Sequence, residues 1–323
     1  MKLAKTYNYL RKDLDVIEES LNKVIQAKHP VLREASTELL EAGGKRIRPV
    51  FVLLSGQIGN YNINRIKTVA VTLELIHMAT LVHDDVIDDA ELRRGKPTIK
   101  HLYGNRVAMY TGDYILARAL EEIATLKDPH VHRLLSKTIV DVCLGEIEQI
   151  QDKYNWDQNL RDYLRRIKRK TALLIATSCE LGAIVSGLSE KEATKLYKYG
   201  YYIGMSYQII DDILDFTSSA KELGKPAGND LLQGNITLPV LFAMDNRSFD
   251  QLVKNMFQNP EEIDENDIKK LLEKLRSTNA IEKSYKLSEL YLQKALKALD
   301  DIPNSRAKLT LQDIAKYIGK RRS

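Results

Sequence analysis

Apolar residues recur along this chain at helical spacing. Leu10, Leu14, Ile17, Leu21 and Val24 fall three or four apart and predict an amphipathic helix near the start. Leu75, Met78, Ala79, Val82 and Val86 repeat the pattern before a run of aspartates. A long helix is expected from Asp157 onward and another from about Arg106 to Leu126. Ser189 with Glu192 reads as a capping box opening the next helix. Gly43 and Gly44 close one helix, since glycine accepts the left-handed cap, and Pro49 starts the following one. Gly95 to Asn105 reads as a loop. The other prolines fit loops or first helical turns, and strand-type alternation is scarce. The expectation is an all-α protein with minor strand content.

Composition narrows this picture. The 323 residues are 44% hydrophobic and 29% charged, ample for a large core. No linker rich in Pro, Gly or Ser divides them, so residues 1–323 are expected to form a single domain. A net charge of +5 suits anionic substrates and is too small and dispersed to argue for nucleic acid. Cys143 and Cys179 lie far apart among apolar neighbours, with neither disulfide nor metal-ligand spacing, and are expected to be buried thiols in a reducing cytosol. The N-terminus lacks an apolar signal core, and no apolar run reaches a membrane span. Both point to a cytoplasmic protein.

The chemistry concentrates in a few places. Asp84, Asp85, Asp88 and Asp89 follow the apolar stripe, so Asp84 stacks on Asp88 along one helix face. Like charges at that spacing call for a cation, and Mg2+ typically takes one or two carboxylates plus substrate phosphate oxygens. Arg93 and Arg94 come next, and arginine is a natural bidentate partner of phosphate. Gly43-Gly44-Lys45-Arg46-Ile47-Arg48-Pro49 crowds three cations into a tight loop at a helix start, a ready anion site. His77 shares the aspartate face two turns earlier and is either a core residue or a phosphate donor. His83 points aside and reads as structural, and Gly112 allows close helix packing. Glu146 and Gln149 share a face, toward a polar cavity or toward solvent.

Further on, the basic run Arg165 to Lys170 is mostly a solvated face. Lys170 and Thr171 differ, because they stand where that helix turns apolar and can offer an ammonium and a hydroxyl to a phosphate. Asp211, Asp212 and Asp215 repeat the first cluster's spacing at the end of a second apolar helix, with Gln208 one turn before Asp212. Two such clusters suggest two walls of one metal site. A loop with Gly224-Lys225 follows and can act as a lid.

With these motifs together the chain resembles the trans-type polyprenyl diphosphate synthases, from about residue 20 to the end. Their two D-D-x-x-D motifs match Asp84, Asp85, Asp88 and Asp211, Asp212, Asp215, and their G-G-K-x-x-R-P matches Gly43 to Pro49. It is most similar to the large catalytic subunits of bacterial heptaprenyl or hexaprenyl synthases, which act with a small partner chain and feed menaquinone side-chain synthesis. The resemblance implies an isoprenoid-synthase-type helical bundle around a central cavity, a dimer with an identical or a small second chain, and three Mg2+ ions with diphosphate bound. Membrane contact would be peripheral at most, for product release.

Carried over, Gly44, Lys45, Arg48, His77 and Arg94 bind isopentenyl diphosphate. Asp84, Asp88, Asp211 and Asp215 are the metal carboxylates, with Asp85 and Asp212 alongside. Arg93, Lys170, Thr171, Gln208 and Lys225 hold an allylic diphosphate, with farnesyl diphosphate the expected starter. Many relatives have Lys where this chain has Asn235, so one cation there is missing or supplied from elsewhere. The basic end, Lys320-Arg321-Arg322, either closes over the isopentenyl site or is a solvated tail.

The implied reaction ionises the allylic diphosphate, joins the cation to the double bond of isopentenyl diphosphate and then loses a proton. Ala79 lies five residues before Asp84, about 7.5 Å down the helix, and with Thr80 leaves room for a long product. A class I terpene cyclase would also use aspartate-rich helices but needs no second diphosphate pocket. A non-catalytic, regulatory subunit of the same fold typically loses aspartates that this chain keeps.

Overall fold

The structure is a computed structural model that describes residues 6–218 and 227–321. In chain order its helices are α1 (Arg11–Val24), α2 (Pro30–Glu41), α3 (Ile47–Gly56) and α4 (Ile63–Ile87). A two-stranded antiparallel ribbon, β1 (Leu92–Arg93) and β2 (Lys96–Pro97), comes next. Then follow α5 (Ile99–Ile123), α6 (Pro129–Gln151), α7 (Leu160–Ile167), a π-helical turn (Lys168–Ala172), α8 (Leu173–Val185) and α9 (Glu190–Thr217). The remainder is α10 (Asn229–Leu232), α11 (Leu238–Ala243), α12 (Arg247–Met256), α13 (Glu265–Arg276), α14 (Ala280–Ala298) and α15 (Arg306–Gly319). The all-α expectation holds, with the short ribbon as the only strand pair among the described residues. The chain divides into two compact units, each assembled from three separate stretches.

The first unit comprises Met1–Lys137, Leu174–Tyr197 and Asp301–Ile314. Its centre is α4, buried around most of its circumference from Ile66 to Val82. Such a helix must be enclosed by neighbours rather than lie on a surface. By length and hydropathy α4 would suffice to cross a membrane, but 72% of its most apolar window is buried inside the protein. Asn62 caps it through its side chain. The stripe on α1 packs inward through Ile17 and Leu21, and Leu10 is buried just ahead of it. Gly112 on α5 is packed against the His83 ring of α4, where a Cβ would collide. That glycine therefore sets how closely α4 and α5 approach.

In the first unit two boundaries differ from expectation. The helix after the Gly-Gly loop starts at Ile47, with Pro49 inside its first turn. Arg46 adopts the left-handed conformation (φ 46°), and the first bond of the helix runs from the Val50 N–H to the Arg46 carbonyl at 3.1 Å. The missing N–H of Pro49 thus falls where no carbonyl waits for it. Second, the stretch read as a loop from Gly95 to Asn105 is ribbon and then helix from Ile99. A break in α5 sits at Gly104 (φ 81°, ψ 165°), a region that glycine alone enters easily. The capping box forms as expected, with the Ser189 N–H donating to Glu192 at 2.9 Å and the Glu192 N–H to the Ser189 hydroxyl at 3.3 Å.

The second unit comprises Thr138–Leu173, Lys198–Asp300 and Ala315–Ser323. One core joins Tyr163, Ile167, Ala172, Met205, Ile209, Ile213 and Leu238, and a second gathers Phe216, Val240, Phe249, Val253, Leu271 and Leu275. Gly204 on α9 lets the π-helical turn come close, since a Cβ there would lie 2.5 Å from the Ala172 Cα.

The helix expected from Asp157 begins at Leu160, where Asn159 and Asp162 form a capping box. Its basic run is not uniformly solvated. Arg166 is buried and donates to Gln158 at 2.6 Å and to the Ile236 carbonyl at 2.5 Å, because the face of α7 that carries it turns into the core. Cys143 is exposed, contrary to expectation, whereas Cys179 is buried and its thiol is pushed up to about 12 by burial.

Candidate active site

In the first unit, helical periodicity sorts the aspartates into two kinds. Asp84 and Asp88 are one turn apart and partly exposed, at the open end of α4. Asp85, one residue on, points inward and is buried. Its carboxylate accepts from Arg93 Nε at 2.8 Å and Nη2 at 2.7 Å. Arg93 sits on β1, and the ribbon is pinned to the end of α4 by the Thr98 hydroxyl donating to the Ala90 carbonyl at 2.7 Å.

The same ribbon delivers Arg94, held in the left-handed conformation (φ 56°). Its guanidinium lies against Gly44, where a Cβ would stand 2.7 Å from Arg94 Nη1. A side chain at residue 44 would push that guanidinium aside, while the backbone angle there does not demand glycine. Arg48, Arg94, Arg93 and Arg46 all act on His77, whose pKa falls well below the ordinary imidazole value, first through burial and then through these four charges. His77 is neutral at pH 7, so its contribution to an anion site would be a hydrogen bond and not a charge.

Of the three loop cations, Arg46 is turned away, toward Glu18 and Glu74. Below the aspartates, Ala79 is buried and the Thr80 hydroxyl donates to the His77 carbonyl at 2.8 Å. His83 pairs with Asp113 at 3.2 Å, in keeping with a structural role.

In the second unit one hydrogen-bonded chain links the expected residues. The Thr171 hydroxyl donates to Gln208 Oε1 at 2.6 Å, and Gln208 Nε2 donates to Asp212 Oδ1 at 2.8 Å. Tyr163 donates to the other oxygen, Asp212 Oδ2, at 2.6 Å. Asp212 is raised to about 7, first by burial, then by the neighbouring Asp230 and Asp211 charges, against the pull of Tyr163 and Gln208. Lys170 is exposed at the π-helical turn and donates to Gln149 at 2.8 Å, which explains why Gln149 is buried on α6. A π-turn widens the helix locally and often marks a functional position.

Asp215 is buried and accepts from the Asp230 N–H at 3.3 Å. Asn235 bonds back to the Asp230 carbonyl through its backbone at 2.8 Å. Asp211 is partly exposed and pairs with Arg321 at 2.9 Å, while that guanidinium lies over the Tyr207 ring at 4.9 Å. The C-terminal arginine thus sits on the second aspartate motif. Lys225 and Arg322 lie outside the described residues. Sequence reading missed Tyr163, which reaches Asp212 across 49 residues of sequence. It also missed the inward role of Arg46.

Among the described residues no three His, Cys, Asp or Glu side chains converge enough to hold a metal by themselves. Hard carboxylate donors that leave coordination incomplete suit a Mg2+ ion completed by phosphate oxygens.

Helices ending in aspartate pairs, with guanidinium and ammonium groups gathered beside them, define an all-α enzyme that handles diphosphates. The chain belongs to the polyprenyl synthetase family, which matches residues 29–275. It is 61% identical over 322 residues to heptaprenyl diphosphate synthase component 2 of Bacillus subtilis (strain 168), covering 100% of this chain and 92% of that protein. The crystal structure of heptaprenyl diphosphate synthase from Staphylococcus aureus superposes with a TM-score of 0.92 at 45% identity, covering 97% of this chain and 99% of that one. A polyprenyl synthase from Caulobacter crescentus, complexed with calcium and isoprenyl diphosphate, superposes with a TM-score of 0.93 at 27% identity, covering 100% and 98%.

Proposed function

We propose that this chain condenses isopentenyl diphosphate head to tail with an allylic diphosphate, farnesyl diphosphate, and releases long-chain all-trans heptaprenyl diphosphate for menaquinone side chains. The cation cluster around neutral His77 carries the assignment. It lies in the same unit as Asp84 and Asp88, while Lys170, Thr171 and Gln208 supply further phosphate-binding groups on the other unit. A reaction between two diphosphates needs two such sets, and a cyclase needs one.

Gly44, Lys45, Arg48 and Arg94 hold isopentenyl diphosphate, with His77 donating one N–H. Lys170, Thr171, Gln208 and Lys225 hold the allylic diphosphate. Arg93 has Nη1 left for it after committing Nε and Nη2 to Asp85. Asp84, Asp88, Asp211 and Asp215 provide oxygens for three Mg2+ ions, with Asp85 and Asp212 steadied behind them. Bound Mg2+ supplies Lewis-acid stabilisation of the departing diphosphate. The arginines and Lys170 stabilise the charge that develops as the allylic C–O bond breaks. The new carbon–carbon bond then forms, and a proton leaves to the released diphosphate, since among the described residues no side chain stands out as a base. Water must be kept from the cation while it lasts.

In this reading the enzyme acts in the cytoplasm, and the name of its Bacillus relative, component 2, supports a second component beside it. Exposed Val140, Leu144, Ile147 and Ile150 on α6 support an assembled state. The test is incubation with Mg2+, farnesyl diphosphate and labelled isopentenyl diphosphate, alone and with any small protein that co-purifies from the source. Long all-trans products are expected in at least one tube. Diphosphate binding without any condensation in either would overturn the catalytic assignment.

A further inference from the structure

Arg46 occupies a position that its side chain should avoid. Its backbone is left-handed (φ 46°, ψ 40°), a region where a non-glycine residue is strained. Two glycines precede it, so the chain could have placed a glycine there too. What holds the arginine is its guanidinium. Nε and Nη2 each donate to one oxygen of Glu18, both at 2.8 Å. Nη1 reaches Glu74 at 3.3 Å, and Nη2 also reaches the Leu40 carbonyl at 3.3 Å. The side chain is 13% exposed and that of Glu74 4%.

Glu74 is otherwise hard to explain. It is a buried carboxylate in the apolar middle of α4, where an unpaired charge is costly. Paired with Arg46, it anchors the loop to the same helix that carries His77 and the first aspartate motif. In this loop Lys45 is exposed, the Arg48 charge acts on His77 and Gly44 lies against the Arg94 guanidinium.

We propose that Arg46 is a positioning residue for the isopentenyl diphosphate site: the ion-pair brace Glu18–Arg46–Glu74, half-exposed at Glu18 and buried at Glu74, holds the loop so that Lys45, Arg48 and Arg94 converge, and Arg46 itself does not touch substrate. This rests on the assignment of Lys45 and Arg48 to isopentenyl diphosphate. Preorganised cations bind more tightly because no ordering cost falls due on binding.

The two roles of the residue, backbone conformation and brace, separate by substitution. Arg46→Gly accepts the positive φ but removes the ion pairs. Calorimetric titration with isopentenyl diphosphate, in Mg2+ and the unreactive farnesyl thiolodiphosphate, should show its Kd raised about tenfold or more. Arg46→Lys, which keeps the charge without the fork, should recover part of that loss, and Glu74→Gln should weaken binding in the same direction. Binding of the farnesyl analogue alone should stay within about twofold of the parent chain. Unchanged isopentenyl diphosphate affinity in Arg46→Gly would overturn the brace. Equal weakening for both ligands would also overturn it, by showing general damage to the fold. Failure of the parent chain to bind isopentenyl diphosphate at all would instead remove the site assignment on which the brace depends.

Discussion

Asp85 and Asp212 are the middle carboxylates of their motifs, and both are buried and committed to protein donors. A helix turns 100° per residue, so the neighbour of a surface-facing aspartate faces inward. The Tyr163 hydroxyl lowers the Asp212 pKa against the burial and neighbouring charges that raise it. Tyr163→Phe should raise the Asp212 pKa further and move the acidic limb of the kcat/KM profile to higher pH, with activity near pH 7 lowered about tenfold. A pH–rate series on the variant checks both. Glu180 gives a separable pH effect. Burial raises it to about 7 against the opposing Lys137 charge. The folded chain then holds a proton that the unfolded chain has released between about pH 4.5 and 7, so stability falls as pH rises through that window and levels above it. Glu180→Gln should remove this slope and gain about 1–2 kcal/mol at pH 8, read from urea unfolding at pH 5 and 8.

At the level of elements, two close contacts shape the second unit's contribution. The π-turn puts Lys170 and Thr171 in place, and α9 can reach it only because residue 204 lacks a side chain. The atom a Cβ would meet is backbone and cannot swing aside. Gly204→Ala should therefore cost about 1–3 kcal/mol in denaturant unfolding and lower activity with it. The analogous contact at Gly112 meets the His83 side chain, which can move, so the same change there should cost less. The left-handed residues Arg46, Asp89 and Arg94 show a related economy. Each lies where the chain reverses, Arg46 at the start of α3, Asp89 just past α4 and Arg94 between β1 and β2.

For the molecule as a whole, product length is the property most open to test. Ala79 is buried in α4 below Asp84 and Asp88, and a larger side chain there would oppose growth along that helix. Ala79→Tyr should shorten the main product by several isoprene units, sized by chromatography, while the chain stays folded by circular dichroism. An unchanged product distribution would show that the growing chain takes another path.

Much of this protein was legible in its residues. The 3.6 period, the capping box and the paired D-D-x-x-D spacing determined helices and chemistry, because each depends only on neighbours within a turn or two. Three features came only with the tertiary structure. Arg46, read as one of three loop cations, is drawn inward by Glu18 and Glu74, which lie 28 residues away on either side. Arg166, read as solvated, is buried by contact with Ile236. Arg321, read as part of a basic end that either closes over the isopentenyl site or is a solvated tail, pairs with Asp211. In every case a long, charged side chain chose its partner across the fold. Local periodicity decides where such a side chain starts, but its far end answers to whatever carboxylate or carbonyl the packing brings within reach.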